Sequence, residues 1–502
     1  MLRESLTVLV PDEIEINKPD LKRISISVVI ASQRADGFLT ALSASPPGSR
    51  DAGEDLVALA SEPLPDSPRL SALHLSTDEL KAGLEAGDEE TAAYLARAGV
   101  CREVEVDIGE LHLEDGATSF VTVTAHAMLR GRRVRQSVQV PIRFSALPEV
   151  PGWYGGDGHV HTQWSPDVVL LPISRRVRYA RNNGFGFIII TDHEDGVGEA
   201  WSRPGGYCAQ CRAAEEEYGI PVLPGIEIDT SVGGHCLAYW LDEDAPSAPA
   251  NGKLDARGLL REIERHNYPR SYGVVAHPFA LRQKWRDWTV ENFVGLEIIN
   301  RSRKSSSQAV AKWFELLHRD LPRTLRTGKF VVGLANSDCH NLQEPGGRGF
   351  TWIRPLGAQP VRETGTGDAP DTPKRSTLTR EDVWRTLRQG RAVASGSKDL
   401  GFFTLNGAGI GEIASAFAGS TLSFTFEWHP AGGRTCRKIT LFSGDGGRVV
   451  LSPGRPKLPL RYETRCPRES TFYVAKFEFS GPGRSKPSEV WTNPVFLRVT
   501  GI

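Results

Sequence analysis

The central part of the chain alternates short apolar runs with stretches of helical periodicity. The apolar runs have the length and the β-branched composition of buried strands, with turn residues between them. The seven runs are Asp157–His161, Phe187–Thr191, Pro221–Ile228, His235–Leu241, Gly273–His277, Val294–Asn300 and Phe330–Ala335. The helical stretches among them are Ile173–Asn183, Cys208–Tyr218, Leu254–Asn267 and Gln308–Arg319. Strand and helix candidates in alternation predict an α/β barrel within residues 151–398.

One connection in this region is too short for a barrel crossover. Only Ile228–Gly234 separates Glu227 from His235, whereas a crossover between parallel strands needs about a dozen residues or more. A hairpin is therefore predicted here, and it makes the barrel a distorted one.

Both flanks of this region are predicted to be mainly β. The N-terminal strand candidates are Ser5–Ile16, Arg23–Ala31, Arg102–Ile108, Ser119–Leu129 and Val134–Phe144. The C-terminal ones are Thr421–Trp428, Arg437–Phe442, Phe472–Phe479 and Pro494–Val499. We predict β-sandwich-like domains over residues 1–150 and 399–502, the second of immunoglobulin-like size. One helix, Ser76–Ala98, interrupts the first, and an exposed loop at about 355–377 precedes a helix at Arg380–Gln389.

Six of the twelve histidines lie in short motifs at the ends of apolar runs. The motifs are Asp157-Gly-His159-Val-His161, Asp192-His193, Gly225-Ile-Glu227, Gly234-His235, Ala276-His277-Pro278 and Asp338-Cys-His340. Residues i and i+2 of a strand point to one side, which pairs His159 with His161 and Asp338 with His340. Imidazoles and carboxylates ligate catalytic metals, and barrel enzymes carry catalytic groups at the carboxyl ends of their strands. A structural hydrogen bond explains any one histidine equally well, but the whole set indicates a metalloenzyme.

Composition narrows the class of protein. The 60 basic and 61 acidic side chains leave a net charge of −1, which provides no electrostatic footprint for nucleic acid or an anionic membrane. Seven cysteines in 502 residues argue against a disulfide framework. Neither a signal peptide nor a membrane-spanning run is recognisable. We expect a cytoplasmic protein that acts on a small-molecule substrate, and its oligomeric state stays open.

The cysteines are predicted to be structural. Cys208 and Cys211 form a C-x2-C pair on a helix, without a second pair at zinc-finger spacing. Cys236 and Cys339 adjoin ligand candidates, but strand alternation turns them to the opposite face, which favours core packing.

With these motifs in this order, residues 153–350 resemble the PHP superfamily, the polymerase and histidinol phosphatase group of metal-dependent hydrolases. The resemblance implies a distorted seven-stranded (β/α) barrel. The flanking β domains, Leu387-Arg-Gln-Gly390-Arg391 and Thr492-Asn-Pro-Val495 extend the likeness to the carbaryl-hydrolase branch of that superfamily.

Carried over motif by motif, the resemblance implies two metals that share Glu227. The implied ligands are His159, His161, Glu227 and Asp338 for the first metal and Glu227, His235 and His277 for the second. A third metal would take a residue just after the H-x-H pair, together with His193 and His340. The fifth position after that pair, often an aspartate, is Pro166, and the sixth is Asp167. Asp167 is therefore the third-site candidate, giving two or three metal ions in all.

The implied chemistry is hydrolysis. Imidazole and carboxylate ligands suit zinc, manganese or iron. Two such metals share a hydroxide and lower the pKa of its water from 15.7 towards about 7, with Glu227 and Asp338 in catalytic positions. Asp157 and Asp192 are candidates for carboxylates that fix imidazole tautomers, with local turn hydrogen bonds as the alternative.

Three hypotheses remain for the activity. The first, which we favour, is phosphoester hydrolysis. Arg348, a catalytic candidate, and Arg301 could bind the phosphate oxygens. For each arginine, a surface or structural ion pair is the alternative. The second is hydrolysis of a carbamate, amide or carboxylic ester. Its aromatic pocket would draw on Trp164, Trp201, Trp285 and Trp288, for most of which surface or core packing is the alternative. The third is an inactive scaffold used for binding, against which the intact ligand motifs argue.

Overall fold

The computed structural model describes residues 6–11, 13–18, 21–32, 37–45, 57–63, 100–108, 111, 115–129, 132–168, 171–249, 254–281, 283–300, 303–340, 343–347, 349–357, 378–453, 459–481 and 487–501. The chain divides into two compact units. Unit 1 comprises Met1–Ala146, His161–Pro172 and His340–Glu344, and unit 2 comprises Leu147–Val160, Ile173–Cys339 and Pro345–Ile502. The division at residue 147 lies close to the predicted boundary at 150, and the predicted boundary at 398 falls inside unit 2.

Unit 1 contains two sheets that bury one hydrophobic core. Its strands are β1 (Leu6–Leu9), β2 (Ile14–Ile16), β3 (Arg23–Ser32), β4 (Gly37–Ser45), β5 (Val57–Pro63), β6 (Val100–Asp107), β7 (Thr118–Leu129) and β8 (Arg132–Phe144). One sheet has the order β1-β3-β6, and the other has the order β2-β8-β7-β4-β5. Alternate β-branched residues, among them Ile26, Val28, Val123 and Val140, are fully buried in the shared core.

The N-terminal region differs from its prediction in the first strand. Ser5–Ile16 was expected as one strand but forms two, because Pro11 between them has no amide hydrogen to donate to a strand ladder. The helix predicted over Ser76–Ala98 lies outside the described residues.

In unit 2, seven strands are neighbours in space in the order of the chain. They are β9 (Tyr154–Val160), β10 (Phe187–Ile190), β11 (Val222–Asp229), β12 (His235–Tyr239), β13 (Tyr272–Val275), β14 (Gly295–Ile299) and β15 (Val332–Ala335). β12 runs antiparallel to β11 and β13, and the other neighbours are parallel. The predicted hairpin after Glu227 is thereby confirmed. A parallel bridge also pairs Val160, which ends β9, with Cys339, which follows β15.

Helices connect several of these strands and precede the C-terminal ones. They are α1 (Ile173–Asn182), α2 (Glu194–Val197), α3 (Tyr207–Tyr218), α4 (Ala256–His266), α5 (Arg303–Thr327) and α6 (Arg380–Arg388). α4 buries Leu259 and Ile263 at helical spacing, and the Asp255 carboxylate caps its first turn. α5 is longer than the predicted Gln308–Arg319, since it continues through Pro322 despite the hydrogen bond lost there.

The remainder of unit 2 is β. Its strands are β16 (Phe350–Ile353), β17 (Ala392–Ser395), β18 (Leu400–Leu405), β19 (Ile413–Phe417), β20 (Thr421–His429), β21 (Thr435–Ser443), β22 (Arg448–Leu451), β23 (Leu460–Arg465), β24 (Thr471–Ser480), β25 (Ser488–Thr492) and β26 (Val495–Thr500). β16 joins β9 to β17, and β17 pairs with β25. One hydrogen-bonded sheet therefore continues from the central strands into the C-terminal strands. A second sheet has the order β18-β20-β23.

The described residues thus form a mixed α/β fold that is rich in sheet and has few helices, which confirms the fold class at that level. Of the predicted loop at about 355–377, residues 358–377 lie outside the described chain. Every helix described is too short or too polar to cross a membrane.

Candidate metal centre

The carboxylate of Glu227 is the centre of a cluster of four histidines in unit 2. Its Oε1 lies 2.7 Å from His235 Nδ1 and 2.8 Å from His277 Nε2. Its Oε2 lies 3.3 Å from His159 Nε2 and 3.6 Å from His193 Nδ1. Glu227 is only 2% exposed. Each oxygen of one buried carboxylate therefore faces its own pair of imidazoles.

These contacts define two groups of possible ligands that share Glu227. In the first, ligand atoms of His159, Glu227 and Asp338 lie within 4.8 Å of one another, and His159 Nε2 is 3.3 Å from Asp338 Oδ1. In the second, ligand atoms of Glu227, His235 and His277 lie within the same distance. All five residues are buried. Buried clusters of His, Asp and Glu could thus hold a metal ion here.

A third cluster lies in unit 1. His340 Nε2 is 2.8 Å from Asp167 Oδ2, and the rings of His161 and His340 stack with centroids 4.0 Å apart. His161 Nδ1 also lies 2.9 Å from Ser165 Oγ. Asp167, favoured over Pro166 from the sequence, is therefore beside one of its predicted partners. The assignments of His161 to the first metal and of His193 to the third combine residues of the two units and stay predictions.

Glycines next to the ligands allow the strands to approach one another. A Cβ on Gly225 would lie 2.6 Å from the carbonyl oxygen of Ala238, across the β11–β12 hairpin. A Cβ on Gly158 would lie 2.5 Å from the hydroxyl of Tyr239 and 2.9 Å from Asn336 Oδ1. Glycine is required at 225, where the neighbour is backbone, and any side chain at 158 would displace Tyr239 or Asn336.

Two of the ligand candidates have strained backbones. His277 has φ 22° and Asp338 has φ 51°. Residues other than glycine rarely adopt such positive values, and those that do are concentrated at functional sites. The conformation of Asp338 corrects one step of the sequence reasoning. β15 ends at Ala335, so strand alternation does not apply to Asp338 and His340, although the buried position predicted for Cys339 is observed.

Charge coupling within the cluster shifts the pKa values of its members. Burial lowers the pKa of His235, but the charge of Glu227 and hydrogen bonds with Asp229 and Glu227 outweigh burial and raise it to about 10. For His159 burial acts the same way, and the surrounding carboxylates raise its pKa well above 6.5. Burial raises the pKa of Glu227, but the histidines, His235 first, hold it well below its usual range. Without a metal, protonation of His159 and His235 offsets the negative charge of the surrounding carboxylates.

This coupling predicts how the stability of the metal-free protein depends on pH. A folded-state pKa of His235 raised to about 10 contributes stability that is complete below about pH 6.5 and lost as the pH rises towards 10. We expect the free energy of unfolding of chelator-treated protein to fall by more than about 1.4 kcal/mol, the equivalent of one pKa unit, between pH 7 and pH 9. Denaturant titrations at the two pH values measure this free energy of unfolding. Metal-loaded protein is the control and should lose less, because metals replace those protons; equal losses would contradict the coupling.

Two carboxylates that the sequence analysis did not single out contact the second ring nitrogen of a candidate ligand. One is Asp229, 2.7 Å from His235 Nε2. The other is Glu297, on β14, which lies 3.0 Å from His159 Nδ1 and is 1% exposed. Asp157, a candidate for such a role, accepts hydrogen bonds from the main-chain amides of His159, Ser337 and Gly346, so the alternative of backbone hydrogen bonds is the one observed. The predicted role of Asp192 stays untested. A charged residue inside an apolar strand was the available signal for Glu297.

The substrate-contact candidates are only partly described. Arg301 and Arg348 lie outside the described residues. Trp201 and Trp285 are at most 1% exposed, and their indole nitrogens donate to the carbonyl oxygens of Asp242 and Asp287. These two indoles are therefore core residues and do not line an open pocket.

The remaining aromatic and cysteine candidates lie as follows. Trp288 stacks on Phe279 with ring centroids 5.7 Å apart, and Trp164 is half-buried. Cys208 and Cys211 lie on α3, as predicted, and are buried. Burial raises the pKa of both thiols, which favours their protonated forms in the metal-free protein. Core positions were predicted for Cys236 and Cys339, and both are buried.

Comparisons with known proteins leave the family open. No family model and no curated protein matches the chain. Among solved structures, PsfC from Pseudomonas syringae PB-5123 has a TM-score of 0.30 and 15% identity, covering 41% of this chain and 84% of that one. The beta-glucuronidases Bacteroides uniformis beta-glucuronidase 3 and that of Parabacteroides merdae have TM-scores of 0.19 and identities of 11% and 10%; each covers 99% of this chain, which spans 64% of their length. At these TM-scores the likenesses establish neither a shared fold nor a shared activity.

Proposed function

We propose that the protein is a metal-dependent hydrolase of the PHP type that cleaves phosphoesters. The observation that carries this proposal is the placement of Glu227, whose two oxygens each face two histidines. A carboxylate shared in this way is what a bridging ligand of a two-metal site requires. A structural role explains the cluster less well, because desolvating so many titratable groups is costly unless they are paired or bind a metal.

The donor set fits the implied metals. The two groups in unit 2 offer imidazole nitrogens and carboxylate oxygens and contain no thiolate, which favours zinc, manganese or iron over copper(I) or an iron–sulfur cluster. When bound, such metals lower the pKa of water and stabilise the negative charge that develops on the scissile group.

The chain's own residues would position the metal ligands and shield them from water. In each group the ligand atoms of the buried residues already lie within 4.8 Å of one another, which limits the conformational entropy lost on binding. Asp338 has the most exposed carboxylate of the first group, at 12% of its side chain. It is therefore the ligand that faces the approach of substrate.

We also propose that β9 to β15 form the distorted seven-stranded barrel implied by the resemblance. Their unbroken neighbour order supports this. So does the Val160–Cys339 bridge, which pairs the last residue of the first strand with a residue that follows the last strand. The antiparallel β12 is the distortion expected from the short Glu227–His235 connection.

A phosphoester is favoured over a carbamate as the substrate. Phosphoester hydrolysis is the commonest activity of the superfamily that the motifs resemble. The burial of Trp201 and Trp285 removes two of the four indoles on which an aryl-carbamate pocket would depend. The test is hydrolysis by metal-loaded protein of an aryl phosphomonoester, an aryl phosphodiester and an aryl carbamate. Chelator-sensitive turnover of a phosphoester is expected; carbamate turnover without any phosphoesterase activity would refute the substrate class.

The class of substrate should also determine how strongly the enzyme depends on Arg348. If the scissile group is a phosphate bound by that guanidinium, Arg348→Lys loses the two-pronged contact. We expect kcat/KM on the preferred phosphoester to fall by about 1–3 kcal/mol of transition-state stabilisation. Steady-state kinetics measure it, with a neutral carbamate as the control substrate. An unchanged kcat/KM on the phosphoester would remove Arg348 from the site.

A further inference from the structure

Glu297 is a buried carboxylate, and the described groups that contact its two oxygens are hydrogen-bond donors. Its Oε1 accepts from His159 Nδ1 at 3.0 Å and from Asn336 Nδ2 at 2.8 Å. Its Oε2 accepts from the main-chain amide of His277 at 2.7 Å and from Asn300 Nδ2 at 2.7 Å. An ionised carboxylate offers about four acceptor sites, so all are used. A protonated carboxyl would present a donor to one of these donors.

The contact with His159 determines which ring nitrogen is available to a metal. With Nδ1 donating to Glu297, the lone pair of a neutral imidazole is on Nε2. That Nε2 lies 3.3 Å from both Glu227 Oε2 and Asp338 Oδ1. Glu297 therefore directs the ligand nitrogen of His159 into the first group.

The contact with His277 reaches the second group. The main-chain amide of His277 donates to the same carboxylate, and this residue has the strained φ of 22°. Burial within a shell of donors keeps the accepting oxygen in place against that strain. One side chain thus restrains a ligand of each group, although Glu297 itself does not point into either.

We propose that Glu297 is the positioning residue that sets the metal affinity of the centre. It acts by holding His159 in the Nδ1–H form and by fixing the backbone of His277. This inference rests on the metal-binding part of the proposed function and is independent of the reaction and the substrate.

The neighbouring amide makes the effect of a substitution specific. Asn336 cannot turn over to accept from a glutamine at 297 without losing the hydrogen bond that its Oδ1 accepts from the amide of Gly158 at 3.0 Å. In Glu297→Gln the new NH2 group faces donors in either orientation. It opposes His159 and Asn336 in one, and the amides of His277 and Asn300 in the other. Each orientation disturbs a ligand of one group.

The test is Zn²⁺ titration of metal-stripped full-length protein against a chromophoric chelator. For Glu297→Gln we expect the dissociation constant of at least one of the two sites to rise about 10–100-fold, the usual effect of losing a partner of a metal ligand. Asn300→Ala removes one donor from Oε2 and leaves the His159 contact, so its constants should change by less than about threefold.

The control for general destabilisation is Asp399→Asn. Asp399 is also fully buried and accepts from Ser397, Ser488 and the amide of Ala431, with Arg434 Nη1 3.8 Å away. These described partners do not include a histidine. This variant should be less stable yet bind Zn²⁺ with wild-type affinity. If Glu297→Gln also bound Zn²⁺ normally, Glu297 would be a structural residue only and the proposal would be overturned.

A measurement on the wild-type chain covers the case in which Glu297→Gln does not fold. Nitrogen-15 NMR of histidine-labelled, Zn²⁺-loaded protein should show His159 protonated at Nδ1 and bound through Nε2. The opposite arrangement would overturn the proposal. A wild-type chain that bound no Zn²⁺ at all would refute the proposed metal centre as well, whereas normal Zn²⁺ binding without hydrolysis would refute the activity alone.

Discussion

Glu227→Gln should abolish catalysis and weaken both metal sites. The substitution keeps the shape of the side chain but removes the charge that serves two pairs of histidines, one at each oxygen. Its NH2 group would also oppose two imidazoles that need an acceptor or a metal. We expect kcat to fall by about three orders of magnitude or more. Metal content after dialysis should fall below one equivalent per chain.

Metal analysis by mass spectrometry and steady-state kinetics on the preferred substrate measure these two effects. Asp399→Asn serves as the matched control, since it makes the same carboxylate-to-amide change at a buried site whose described partners do not include a histidine. That control should keep its metals and its turnover. If Glu227→Gln kept near-normal kcat and metal content, Glu227 would not be the shared ligand.

Asp338→Asn should produce a different pattern, in which one metal is lost and the other stays. Asp338 belongs to the group with His159 and does not take part in the group of Glu227, His235 and His277. The second group should therefore retain its ion. We expect loss of about one metal equivalent and a fall in kcat of about 100-fold or more, since one charge-stabilising ion is missing from the reaction.

The contrast between these two variants separates a shared ligand from an unshared one. Equal metal loss in Asp338→Asn and Glu227→Gln would mean that the two groups bind metal only together. Unchanged metal content in Asp338→Asn would exclude this residue as a ligand. Circular dichroism checks that both variants fold. Asparagine, like aspartate, tolerates the positive φ of residue 338.

The central strands could be predicted from the sequence because each is a short apolar run with turn residues on both sides. Each of the seven predicted runs overlaps an observed strand, and the hairpin after Glu227 followed from chain length alone. The boundaries of strands and helices were predicted less well at prolines, where tertiary packing decides whether the element continues. Pro11 divided a predicted strand, whereas Pro322 did not end α5. A proline marks a possible break, and tertiary packing decides whether the chain breaks there.

The site was predictable to the extent that its residues occur in short motifs. His159, Glu227, His235, His277 and Asp338 lie together as their motifs suggested. Glu297 and its partner Asn336 were missed because they are separated from His159 by 138 and 177 positions, and only the fold brings them together. The role of Asp157 could not be decided from the sequence for the same reason, since nearness in sequence to His159 does not place its carboxylate beside the imidazole ring.

The most direct test of the two-metal centre is reconstitution of metal-stripped protein. Zn²⁺ or Mn²⁺ would be added in fractions of an equivalent, with bound metal and phosphoester hydrolysis followed on the same samples. Because both groups share Glu227, activity should stay low through the first equivalent and rise as the second one binds. Full activity at less than one bound metal per chain, or activity that persists after all metal has been removed, would contradict a two-metal hydrolase.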